Sequence, residues 1–287
     1  MQQFNAIVFV IVAHMDDWLL FMNPNIRYEL ANKNNKVVFI YTTANDAGAS
    51  ETFWRGNEEA SLSSIRFGVT YENEEKEYRD QVKLNNHLLH RWTYGNVVSY
   101  FLRLPDGNLS GNGFSSQGYQ SLQKLYLREI PDICTLDHST VYHGWDDLVN
   151  TIQSIIDFEG DNHSVIKINF PEPDRVINQG DHSDHITTGL AVRVIPKYNN
   201  YYSYSYKGYS ISNYPIDLTG EDLFWKIGMF FVYDKTLYDL TGYSLLQRNP
   251  NTFMEFCFRS SKFQVEGCLN DTKLENTIRF NHNTRKK

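Results

Sequence analysis

Two short strings of residues carry the groups best suited to chemistry. His14, Asp16 and Asp17 directly follow the apolar run Ala6–Val12. Asp181, His182, Ser183, Asp184 and His185 follow a second run at residues 164–170. Imidazoles and carboxylates bind divalent metals and move protons. A catalytic zinc keeps three protein ligands of these types and one open position for water. Zinc lowers the pKa of that water toward about 7. A neighbouring carboxylate can then take its proton, and a second histidine can stabilise an oxyanion or protonate a leaving amine. Together these parts suit hydrolysis of an amide or ester. Each string alone also admits a plainer account. Asp16 or Asp17 could cap the next helix, and residues 181–185 could be a solvated loop with an aspartate cap.

The elements around these strings favour the chemical account. Ala6–Val12, residues 36–43, 97–104 and 164–170 read as strands, the first two as continuous apolar runs of the kind buried on both faces. Residues 18–30 have a helical pattern broken by Pro24. Residues 57–67 read as a helix that stops at Gly68, and residues 146–158 and 185–195 as further helices. This alternation predicts an α/β fold, Rossmann-like, with a mostly parallel sheet and helices on both faces. In such a sheet, ligands bind beyond the carboxyl ends of the strands. Both His/Asp strings sit at such ends, so the fold can bring them together. His182 and His185, three apart on one helical turn, allow one to ligate while the other faces substrate.

Residues 106–120, rich in Gly, Ser and Asn, read as a long loop. Beyond residue 196 the pattern changes. Tyr202, Tyr204 and Tyr206 alternate with serines, as in an exposed or edge strand. A helix is expected over residues 222–233 and a last strand or hairpin over residues 253–265. We expect a single domain over residues 1–287, with a core at about 6–195 and residues 196–287 as its extension.

Composition narrows the function classes. The 287 residues carry a formal net charge of -7 and no basic stripe, which argues against nucleic-acid binding. The sequence has no apolar run long enough to span a bilayer, so a soluble, cytoplasmic location is expected, with secretion left open. Three cysteines, Cys134, Cys257 and Cys268, form no disulfide framework. Cys257 and Cys268 could pair, although free thiols are the simpler expectation. N-x-S/T acceptors at Asn108, Asn162 and Asn270 carry little weight in an Asn-rich chain. No Walker motif, G-x-G-x-x-G or G-x-S-x-G occurs, so neither a nucleotide cofactor nor a serine nucleophile is indicated. Aromatic residues make up 15% of the chain, enough to serve a large core, a ligand pocket or both. His87, His90, His138 and His143 read as surface or capping residues.

The two strings resemble the PIG-L/LmbE-like N-acetylglucosaminyl deacetylases, which carry A-H-P-D-D-E after their first strand and H-P-D-H later. Here the strings read Ala13-His14-Met15-Asp16-Asp17-Trp18 and His182-Ser183-Asp184-His185. Residues 42–48, Arg55 with Glu59 and Phe67-Gly68-Val69, and Leu104-Pro105-Asp106-Gly107 resemble further family segments. The resemblance covers about residues 6–195. It implies that His14, Asp17 and His185 hold zinc and that Asp16 is the general base on the zinc-bound water. It also implies that His182 stabilises the oxyanion, with protonation of the departing amine as a second role, that Arg55 and Asp106 touch substrate, and that Asp184 is structural. Met15 and Trp18 depart from the family pattern. Trp18 replaces an acidic residue and is expected to wall the substrate pocket.

The expected activity is therefore zinc-dependent removal of an N-acyl group, acetyl first, from a small amino sugar or sugar conjugate. Iron, manganese or cobalt would suit the same ligands. The alternatives are a zinc amidohydrolase of a non-sugar amide and a catalytically silent carbohydrate-binding protein.

Overall fold

The computed structural model describes residues 4–69, 75–160, 164–261 and 264–266. Its first strand, β1 (Ala6–Val12), shows how an unbroken apolar run is used. Side chains alternate along a strand. Val8, Val10 and Val12 enter one core, while Ile7, Phe9 and Ile11 enter a second core on the opposite face. A π-helical turn, Trp18–Met22, and α1 (Asn25–Ala31) follow, with Pro24 between them. Next come β2 (Asn35–Thr43), α2 (Glu51–Gly68), β3 (Glu77–Leu84), β4 (His87–Tyr94) and β5 (Val97–Leu104). They are followed by α3 (Leu122–Tyr126), the short strands β6 (Asp132–Cys134) and β7 (Val141–His143), α4 (Trp145–Glu159), β8 (Val165–Pro171) and α5 (Ser183–Arg193). The remainder comprises β9 (Tyr202–Tyr206), α6 (Gly220–Thr241), α7 (Leu245–Arg248), α8 (Pro250–Cys257) and β10 (Gln264–Glu266).

Eight strands form one sheet in the order β10-β9-β8-β1-β2-β5-β4-β3. The five strands from β9 to β5 are parallel, and β10, β4 and β3 are antiparallel additions. Helices α1, α2, α6 and α8 cover one face, and α3, α4 and α5 cover the other. This is the expected mostly parallel α/β sheet with helices on both faces. Because the five central strands run one way, the segments that follow them emerge at one edge. No helix among the described residues is long and apolar enough to cross a membrane.

Several local expectations change. The helix expected at residues 57–67 starts earlier, at Glu51. The hairpin of β3 and β4 is an addition to the expected elements; β3 lies at the sheet edge with mostly exposed side chains, and only its Val82 and Leu84 pack against a core. His87, expected at the surface, is buried on β4, with its ring held between Thr140 Oγ1 at 2.7 Å and Asp147 Oδ1 at 3.0 Å. The tyrosine-serine alternation forms β9, which is not an edge strand: it lies between β8 and β10, with Ser203, Ser205 and Tyr206 buried. Residues 253–257, expected in a strand or hairpin, belong to helix α8, which starts on Pro250, a residue suited to a first helical turn. Cys257 is a buried free thiol. Cys268, Asn162 and Asn270 lie outside the described residues.

Trp18 also takes a different place from the one expected. Its indole is fully buried in the core rather than lining a pocket. The Nε1–H donates to Ser61 Oγ on α2 at 3.0 Å, and the ring lies 5.0 Å from that of Phe39 on β2. Tyr41 shares the same serine hydroxyl at 2.8 Å. An apolar ring suits this position because the π-helical turn is buried along its whole length. Trp18→Ala should therefore destabilise the fold by about 3–5 kcal/mol in urea unfolding. A pocket-wall role would instead give near-parental stability and an altered KM.

Candidate metal centre

The turn that leaves β1 presents His14 and Asp17 in a fixed arrangement. Asp17 Oδ2 accepts the main-chain N–H groups of His14 at 2.8 Å and Ala13 at 3.1 Å. Its Oδ1 is left facing the imidazoles, 2.9 Å from His185 Nε2 and 3.6 Å from His14 Nδ1. The two nitrogens are themselves 3.1 Å apart. Tetrahedral zinc with bonds of about 2.0–2.1 Å needs ligand atoms about 3.3 Å from one another. The three observed separations bracket that value, so His14, Asp17 and His185 could hold such an ion through these atoms.

His14, Asp106, His182 and Asp184 form a second, adjoining group of donors. Its separations are comparable, and it differs in the state of His182. His14 Nε2 is 3.4 Å from Asp184 Oδ2 and 3.8 Å from Asp106 Oδ2, and His182 Nε2 is 3.7 Å from Asp106 Oδ1. His182 caps α5, its Nδ1 accepting the Asp184 N–H at 3.2 Å. A neutral imidazole with Nδ1 as acceptor carries its proton on Nε2. That nitrogen is then a donor facing the site rather than a ligand.

The segment after β5 is tied to the start of α5. Asp184 Oδ2 accepts the Gly107 N–H at 2.8 Å, and Ser183 Oγ donates to Asn108 O at 2.8 Å. A Cβ on Gly107 would collide with the Asp184 carboxylate, so this approach needs glycine. Asp106 is set from the other side: buried Asp46 accepts its N–H at 2.7 Å. Burial raises the Asp46 carboxyl to about 6.

Electrostatics divides these groups. Burial works against charge on His14 and His185, yet the carboxylates around them raise both, His185 to about 10. Burial likewise opposes charge on Asp17, but His185 and His14 hold it below the usual carboxylate range. Asp16 shifts the other way, to about 6, through burial and the charge of Asp17. Among the described residues its side chain receives one long hydrogen bond, 3.5 Å from Asn45 Nδ2. Burial and then the charge of His14 push His182 down to about 3, so it stays neutral.

Of the residues expected at the site, His14, Asp16, Asp17, Asp106, His182, Asp184 and His185 come together. Arg55 and Trp18 do not. Arg55 lies exposed on α2, paired with Glu51 at 2.6 Å and resting over the Trp54 ring. The sequence did not reveal the roles of Asp46 or Asp181. Asp181 Oδ1 accepts from His185 Nδ1 at 3.0 Å, a pairing that keeps a proton on Nδ1 and turns Nε2 toward Asp17 and His14. Its place one helical turn before His185 was the available signal.

Comparison with known proteins bears on the fold and the family. No curated protein matches the chain. A triple mutant of a deacetylase of the teicoplanin biosynthetic pathway superposes with a TM-score of 0.50 at 11% identity, covering 92% of this chain and 99% of that one; at that identity the likeness concerns the fold. N,N'-diacetylchitobiose deacetylase from Pyrococcus horikoshii, solved with its inhibitor MPG, gives a TM-score of 0.44 at 14% identity, over 93% and 88% of the two chains. The family model for PIG-L, the GlcNAc-PI de-N-acetylases, matches residues 9–195, which include both His/Asp strings. That match spans about two thirds of the sequence, and the chain therefore belongs to the PIG-L family of de-N-acetylases.

Proposed function

We propose that the protein hydrolyses the N-acetyl group of an amino sugar or sugar conjugate, using a divalent ion, zinc first, held by His14, Asp17 and His185. The observation that carries this reading is the convergence of His14 Nδ1, Asp17 Oδ1 and His185 Nε2, 2.9–3.6 Å apart, in a chain of a de-N-acetylase family. Bound there, zinc would polarise the amide carbonyl and make water a stronger nucleophile near neutral pH.

The remaining steps fall to the side chains. Asp16 adjoins the ligand Asp17, is half-buried and has few hydrogen-bond partners, so it is free to accept the proton of the attacking water. The water oxygen adds to the acetyl carbon, and negative charge develops on the carbonyl oxygen. His182 presents its Nε2–H to that oxygen, with the tautomer set by its cap on α5. Because His182 is held neutral, it donates a hydrogen bond rather than a proton. The C–N bond then breaks, and Asp16 returns its proton to the departing amine. Acetate and a free amino group result. Asp106, beside His182 and anchored by Asp46, would accept a hydrogen bond from a substrate hydroxyl.

Metal analysis and turnover separate these roles. Asp16→Asn should keep one divalent ion per chain and lose turnover by about 10²–10⁴-fold. His185→Ala should lose the ion. Loss of the ion in Asp16→Asn would exchange the roles assigned to Asp16 and Asp17. A panel of N-acetylated sugars and conjugates, incubated with zinc-loaded protein, should release acetate from at least one amino sugar. Release from non-sugar amides alone would overturn the substrate class.

A further inference from the structure

The turn after β9 reaches the candidate metal centre from a part of the chain that the family match does not cover. β9 is an outer strand of the parallel set and lies beyond residue 195. Its carboxyl end delivers Gly208 and Tyr209 to the edge where His14 and His185 stand. The Tyr209 N–H donates to Asp181 Oδ1 at 3.1 Å, the same oxygen that accepts from His185 Nδ1. Asn178 Nδ2 donates to Asp181 Oδ2 at 2.5 Å.

Asn178 is held in turn. Its Oδ1 accepts from the Gly208 N–H and the Ser210 hydroxyl, each at 3.1 Å, and its Nδ2 also donates to Glu172 O at 3.1 Å. Asn178, Asp181 and His185 are all buried. A Cβ on Gly208 would stand 2.5 Å from both Asp181 carboxylate oxygens, so the main chain passes directly against that carboxylate. The Tyr209 ring meets His185 edge-on, with centroids 5.4 Å apart.

We infer that Asn178 and the Gly208–Tyr209 turn are positioning groups for the metal ligand His185, acting through Asp181. The inference rests on the zinc reading given above. Once Tyr209 and Asn178 fix the carboxylate, its Oδ1 faces His185 Nδ1 and holds a proton there. With zinc bound, Nε2 would then direct its lone pair at the ion between Asp17 and His14. A carboxylate acceptor also makes an imidazole a stronger metal ligand. Metal affinity is thereby set in part by residues outside the matched stretch.

The test uses the full chain, with Zn²⁺ as the probe in competition with a chromophoric chelator. Asp181→Asn, which keeps the side-chain shape, and Gly208→Ala should each bind Zn²⁺ about 10–100-fold more weakly than the parent. Circular dichroism confirms that each is folded. Long-range ¹H–¹⁵N spectra should show His185 protonated on Nδ1 in the parent and that signal lost in Gly208→Ala. Folded variants that bind Zn²⁺ within twofold of the parent would overturn the inference, as would a parent His185 protonated on Nε2 alone. If Gly208→Ala does not fold, Asn178→Ala replaces it under the same criteria. A parent that binds no stoichiometric ion would remove the zinc reading. The His185 signal then decides the positioning role by itself: loss in Gly208→Ala upholds it and persistence overturns it.

Discussion

A concentration of buried negative charge governs the architecture of this protein. Asp17, Asp106, Asp181 and Asp184 are buried beside His14, His182 and His185, with Asp16 at the rim. Buried carboxylates must be paired with positive charge or tied by hydrogen bonds. Here each is tied: Asp17 by the main chain of β1's exit, Asp181 by Asn178 and the Tyr209 N–H, Asp184 by Gly107. Asp106 meets the cluster from a segment anchored on Asp46. Their combined field draws positive charge onto His14 and His185, as protons or as a metal ion, while His182 stays neutral. The proposed ligands and the proposed hydrogen-bond donor are thus sorted within a few ångströms by what each imidazole faces.

The parallel sheet makes this concentration possible. No single element could hold so many like charges together. β1, β2, β5, β8 and β9 each contribute a short exit segment at one edge, and the two cores behind the sheet bear the cost of holding them. Closely set main-chain groups do the fine positioning. Gly107 lies against Asp184, and Gly208 against Asp181.

Much of this was legible in the sequence, for a physical reason. Strands buried on both faces must be apolar throughout, so β1 and β2 announce themselves, and a His/Asp string at the end of such a strand has few structural uses. The hairpin of β3 and β4 gave no such signal, because an outer strand can be polar on every position. His87 looked exposed because Asn85 and Asn86 precede it; its partners Thr140 and Asp147 come from elsewhere in the chain. Trp18 stood in a motif position, which drew attention to the pocket, yet the π-helical turn points its ring into the core. Asn178 and Gly208 have no pattern at all: their role exists only once β9 has joined the sheet. The aromatic excess divides in the same way. Much of it packs the cores, while Phe21 and Tyr209 meet the His185 ring edge-on and Phe256 packs against both of them, with Tyr209 and Phe256 supplied from beyond residue 195.

Anomalous X-ray scattering at the zinc edge tests directly whether one ion sits among His14 Nδ1, Asp17 Oδ1 and His185 Nε2. Crystals of the zinc-loaded protein should show one anomalous peak, about 2.0–2.1 Å from His14 Nδ1, Asp17 Oδ1 and His185 Nε2. A peak among Asp106, His182 and Asp184 instead, or none at either group, would contradict the account.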